Sequence, residues 1–91
     1  SPLPVKLLYF NAKLLENEIR SITKAEITQS VDANGVFVKL PPDIIPALQK
    51  ENFFYVWNEK ISEVRLMCSY DTTEEQIKNF GRRLKELLTG R

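Results

Sequence analysis

Hydrophobic spacing changes period along this chain, and that change limits the folds open to it. Near the start, Leu8, Ala12, Leu15, Ile19 and Ile22 follow one another at steps of 4, 3, 4 and 3. Such spacing is one stripe of an amphipathic helix, predicted over roughly 6–23. Pro2 and Pro4 are placed ahead of it, because a proline in a helix interior removes a hydrogen bond and clashes with the preceding turn. "EITQSVDANGVFVKL" then reads as two short strands, 26–31 and 35–40, with the first polar enough for a sheet edge. Asn34-Gly35 between them is a strong tight-turn dipeptide.

"PPDIIPALQKE" reads as a short helix. With Asp43 as its N-cap, Pro46 falls at the third helical position, where its missing N–H costs no bond. "FFYVW" (53–57) is β-branched and aromatic, hence a strand. "NEK" (58–60) turns the chain, and "SEVRLMCS" (62–69) alternates at period 2. Thr72 and Glu75 fit a capping box that opens the last helix. Its apolar stripe is Ile77, Phe80, Leu84, Leu87 and Leu88, and Gly90 sits where a C-terminal glycine cap belongs. The order α-β-β-α-β-β-α defines an α+β fold: a three- or four-stranded, mainly antiparallel sheet with helices on one face. At 91 residues the natural count is one domain.

Helices on one face leave the other open. Val64, Leu66 and Cys68 suit the helix-covered core, as do Val36, Val38 and Leu40. Arg65, Met67 and Ser69, with Phe37 and Lys39, then point the other way. In "FFYVW" either Phe53, Tyr55 and Trp57 or Phe54 and Val56 join them. An apolar face around one arginine is typical of an interface. The plain alternative for Arg65 is a solvated strand residue whose stem covers its neighbours.

Much chemistry is excluded by what the chain lacks. It contains no histidine and a single cysteine, which removes finger-type zinc sites and Ser-His-Asp or Cys-His catalysis. Three glycines, Gly35, Gly81 and Gly90, cannot write a phosphate-binding or dinucleotide-binding loop. Thirteen Lys+Arg against twelve Asp+Glu give a net charge of +1, which argues against nucleic acid or an anionic membrane as partner. No apolar run is long enough to span a bilayer. With one cysteine there is no intrachain disulfide, and a reducing, cytoplasmic location is expected. "SPLPVKLLYF" has neither a signal-cleavage pattern nor an initiating Met, so the chain is expected to be a piece of something longer or a trimmed form. Cys68, on the core side of its strand, is expected to be an inert buried thiol. Tyr55 and Trp57 are expected in core or domain-interface packing.

Taken in order, "VDANGVFVKLP", a short helix, a strand and "EVRLMCSYDTTEEQI" resemble the C-terminal small domain of the low-specificity threonine aldolase and β-eliminating lyase family, fold type I enzymes dependent on pyridoxal phosphate. Asn34, Val36, Phe37, Val38 and Leu40 match the family's Asn followed by an apolar "FV-x-L" strand. Val64, Arg65 and Leu66 match its "V-R-L" strand, and Asp71-Thr72-Thr73-Glu74-Glu75 its polar helix start. "NAKLLENEI" is similar to the helix leading into that domain. Cys68-Ser69 stand where the family often has Thr-His, so "MCSYDTT" looks more like the β-eliminating-lyase-like branch.

The resemblance implies that residues 1–91 are one domain of a larger lyase, an amino-acid aldolase in which Arg65 binds the substrate α-carboxylate. A planar carboxylate suits a guanidinium through two parallel hydrogen bonds. It also implies that pyridoxal phosphate and the covalent chemistry belong to a large domain upstream. None of Lys6, Lys13, Lys24, Lys39, Lys50, Lys60, Lys78 and Lys85 sits in the family's cofactor context, so this segment alone is expected to bind no cofactor and be inactive. The whole enzyme is expected to be a homo-oligomer. The alternative is a stand-alone α+β module whose open sheet face binds another protein.

Overall fold

A computed structural model describes residues 2–31 and 34–89, with side chains from residue 10 onward. Its elements are α1 (Pro2–Arg20), β1 (Glu26–Ile27), β2 (Gly35–Lys39), α2 (Ile45–Glu51), β3 (Tyr55–Asn58), β4 (Glu63–Met67) and α3 (Glu74–Thr89). The fold is α+β, with the element order read from the periods. The four strands form one antiparallel sheet in the order β1-β2-β4-β3, so the last strand inserts between β2 and β3.

The core lies on one face of this sheet. Val36, Val38 and Leu40 of the β2 segment and Val64, Leu66 and Cys68 of the β4 segment are all buried there. Ala12, Leu15 and Ile19 of α1, Ile45 and Leu48 of α2, and Ile77, Leu84 and Leu88 of α3 pack onto them in one cluster. Each such Val, Leu or Ile side chain contributes about 1.5–3 kcal/mol by leaving water. Phe54 is buried with this cluster and Val56 packs against it, which places Tyr55 on the opposite side.

Several boundaries differ from the sequence reading, each for a local reason. α1 starts at Pro2 rather than near residue 6, and it ends at Arg20. Both prolines therefore belong to its first turn, where backbone N–H groups have no intrahelical acceptor to lose. Asp43 is not the N-cap of α2. It sits in a 3₁₀ turn, Pro42–Ile44, and the cap is Ile44, with Pro46 in the first turn. The helix stops where the Asn52 backbone N–H and Nδ2 both donate to the Leu48 carbonyl, at 2.9 and 3.2 Å.

Asn34-Gly35 is not the two-residue centre of a hairpin turn, because Gly35 already belongs to β2. β1 is only two residues long and pairs Glu26 with Lys39, leaving a long connection before β2. Gly35 stands opposite Met67. Asn34 extends the same ladder: its carbonyl accepts from the Cys68 N–H at 2.9 Å, and its Nδ2 donates to the Cys68 carbonyl at 3.1 Å. Pairing with the central strand has displaced the local turn. Asp32 and Ala33 fall outside the described residues, as does Gly90.

The capping box of α3 lies one residue later than read. Thr73 Oγ1 accepts from the Gln76 N–H at 3.1 Å, and Gln76 Oε1 accepts from the Thr73 N–H at 2.9 Å. Thr72 is occupied elsewhere, its hydroxyl accepting from the Ser69 N–H at 2.9 Å. Buried Asn11 of α1 pins this corner by donating Nδ2 to the carbonyls of Ser69 and Thr72, at 3.2 and 2.9 Å. Ser69 is therefore part of a turn rather than of the open sheet face, because β4 ends at Met67. Ser62, just before β4, holds a left-handed conformation (φ 55).

Two predictions come from these contacts. Thr73→Ala should destabilise the chain by about 1 kcal/mol, and Glu75→Ala by much less, in urea unfolding with an unchanged m-value; a larger loss in Glu75→Ala than in Thr73→Ala would return the box to Thr72 and Glu75. The second concerns Glu16, buried on α1, which accepts from Lys13 at 2.8 Å and Arg20 at 3.0 Å. The Lys13 hydrogen bond, and after it Arg20, hold its carboxyl below the ordinary 4.5 despite burial. A lowered folded value means stability is present above 4.5 and lost as pH falls through that folded value. The urea midpoint of the wild type should thus drop more steeply below about pH 4.5 than that of Glu16→Gln.

Candidate functional site

The open face is organised by β4, whose burial alternates from Val64 to Met67. Arg65 stands at its centre, with Phe37 of β2 directly opposite on one side and Tyr55 of β3 on the other. The sequence reading placed Arg65 and Phe37 on this face, and the register brings them together. Its surroundings are aromatic. Arg65 Cζ lies 5.6 Å from the centroid of the Phe37 ring and 5.5 Å from that of Trp57. A guanidinium over a ring gains roughly 0.5–2 kcal/mol, more as water is excluded. Arg65 is half-buried, and Phe37, although on the open face, is only 5% exposed.

Tyr55 and Trp57 are not in the core. They remain 60% and 56% exposed, and Phe53 beside them is 84% exposed. Phe53 and Tyr55 meet edge-to-face at 5.2 Å. Their side of β3 was left open by the sequence because "FFYVW" is apolar at every position; burial of Phe54 decides it.

On β4's open side the sequence reading includes Met67 but not Glu63. Met67 is partly exposed, whereas Glu63 is only 4% exposed. Its carboxylate accepts from the Thr28 hydroxyl and from Gln29 Nε2 at 3.0 Å, which ties the segment after β1 to β4. A glutamate at a strand start reads as a solvated charge, and only the sheet order reveals its donors.

On the helix side, a cleft of about 470 Å³ opens between α3 and the ends of β4 and α2, with Leu66, Cys68, Ile77, Phe80 and Arg83 in its wall. Burial pushes the Cys68 thiol up to about 11, so it stays protonated at neutral pH. Arg83 is engaged by Glu51 at 3.0 Å. Among the described residues no lysine lines this cleft, so it does not fit pyridoxal phosphate, which such enzymes carry on a lysine. Lys24 and Lys39 border a shallower depression, and both are exposed. No group of three or more His, Cys, Asp or Glu among the described residues could hold a metal ion. No described helix is long and apolar enough to cross a membrane. The open face presents one half-buried guanidinium between two aromatic rings.

No family model matches the chain. It is similar to a low specificity L-threonine aldolase from Pseudomonas sp. (strain NCIMB 10558), with 26% identity over 78 residues. The match covers 86% of this chain and 22% of that protein. The likeness supports a distant relation to the threonine aldolases, enzymes that depend on pyridoxal phosphate.

The buried thiol gives a direct check on the packing of β4. At pH 8 Cys68 should react with an aromatic disulfide reagent at least ~100-fold more slowly in the folded chain than in urea. Comparable rates would place the thiol outside the core.

Proposed function

We propose that this chain is the C-terminal part of an amino-acid aldolase of the threonine-aldolase kind, in which Arg65 binds the substrate α-carboxylate. The observation that carries the reading is the position of Arg65: central on the sheet face without helices, half-buried, and bracketed by Phe37 and Trp57. The distant likeness to a low specificity L-threonine aldolase supports the same assignment. In this reading, residues outside the chain provide pyridoxal phosphate and the carbon–carbon bond cleavage. The exposed rings of Phe53 and Tyr55 provide contact surface for that larger domain. Arg65 then fixes the substrate by a two-pronged contact, because its planar fork matches a carboxylate in a way a lysine ammonium cannot.

The test is kcat/KM for amino-acid substrates in the longer protein that carries this chain. Arg65→Ala should lower it by roughly 2–4 kcal/mol, the scale for losing one partner of a buried charged hydrogen bond. Arg65→Lys should recover only part of the loss. Cofactor absorbance should be nearly unchanged in both. Full activity in Arg65→Ala would reject the assignment and leave protein binding as the role of this face. So would loss of activity that tracks unfolding, which would make Arg65 a structural strand residue.

A further inference from the structure

The Phe37 and Trp57 rings meet edge-to-face, 5.3 Å between centroids at 74°, although β2 and β3 are not neighbours in the sheet. β4 lies between them, and Arg65 is the residue they share. Regular pairing of β3 with β4 would set Trp57 opposite Glu63. Instead Val56 pairs with Val64 and Asn58 with Glu63, so Trp57 is the extra residue of a β-bulge. Bulges bend a strand locally and re-aim a side chain. The bulge is bounded by its own contacts: Asn58 Oδ1 accepts from the Lys60 N–H at 3.1 Å, and Ser62 turns back through a left-handed conformation.

We propose that Trp57 is a positioning residue for Arg65. The bulge turns its indole inward over β4, and the indole with Phe37 fixes the plane of the guanidinium. That plane sets the direction from which a carboxylate meets the N–H fork. The ligand class, the α-carboxylate of an amino acid, rests on the function proposed above; the ordering of Arg65 by Trp57 does not. An unrestrained arginine side chain holds many rotamers, and a two-pronged contact accepts few of them. Tryptophan is the best ring for this task. If Trp57 were merely a lid on Phe37, an aliphatic side chain of similar bulk would serve as well.

The first measurement uses the chain itself: ¹⁵N relaxation of the Arg65 Nε–H. The Arg65 order parameter should exceed ~0.6, the bound below which groups count as flexible. In Trp57→Leu it should fall below that bound, and in Trp57→Phe it should lie between the two values, with backbone amide spectra preserved. An Arg65 value already below the bound in the wild type overturns the proposal without any variant. An unchanged value in folded Trp57→Leu does so too. The second measurement is made on the longer enzyme. Trp57→Leu should raise KM for amino acids about tenfold with a smaller change in kcat, and Trp57→Phe should restore most of it. An unaltered KM in Trp57→Leu, where Arg65→Ala does abolish binding, overturns the role of the ordering in recognition. If Arg65→Ala is fully active while Trp57 still orders Arg65, the aldolase assignment fails and the positioning stands.

Discussion

The pairing of β2 with β4 is the interaction on which everything else rests. Val36 faces Leu66 and Val38 faces Val64, and this two-strand floor receives all three helices. Side chains on a strand alternate with period 2, so a slip of one residue would exchange the two faces. Arg65 would enter the aliphatic core and Leu66 would face water. The burial of an ionised guanidinium without compensation costs far more than any contact here returns. Core hydrophobicity and the position of the arginine are thus one constraint seen from two sides.

How far this was legible in the sequence depended on the range of the interaction. The stripes of α1 and α3 and the alternation in β2 and β4 are local patterns, and they settled element order, core residues and the face of Arg65. Asn34-Gly35 misled because its turn signal is local while its actual partner, Cys68, lies 34 residues away. The cap of α3 moved from Thr72 to Thr73 because Ser69, in the preceding turn, claims the Thr72 hydroxyl. No propensity rule encodes such competition for one acceptor.

The candidate site divides in the same way. An arginine between valine and leucine in an alternating strand was visible as out of place, and so was the apolar company it would keep. Its neighbours were not, since they depend on β4 inserting between β2 and β3 and on one extra residue in β3. Glu63 is a parallel case. Its burial by Thr28 and Gln29 needs the edge segment after β1 to fold back across the sheet. Both are non-local arrangements of residues whose individual properties are unremarkable.

The same irregularities bear on the two edges of the sheet. A sheet edge is a row of unpaired backbone groups, and long flat apolar edges template aggregation. At one end of this sheet β1 extends for only two residues. At the other, β3 carries exposed aromatic rings, a combination prone to stacking into cross-β ribbons. The bulge at Trp57 breaks the regular spacing of β3 after two paired positions, and a 3₁₀ turn follows at once. No stretch of the exposed strand is then long or flat enough to nucleate a continuous ladder, so an aromatic-rich surface is displayed without an adhesive edge.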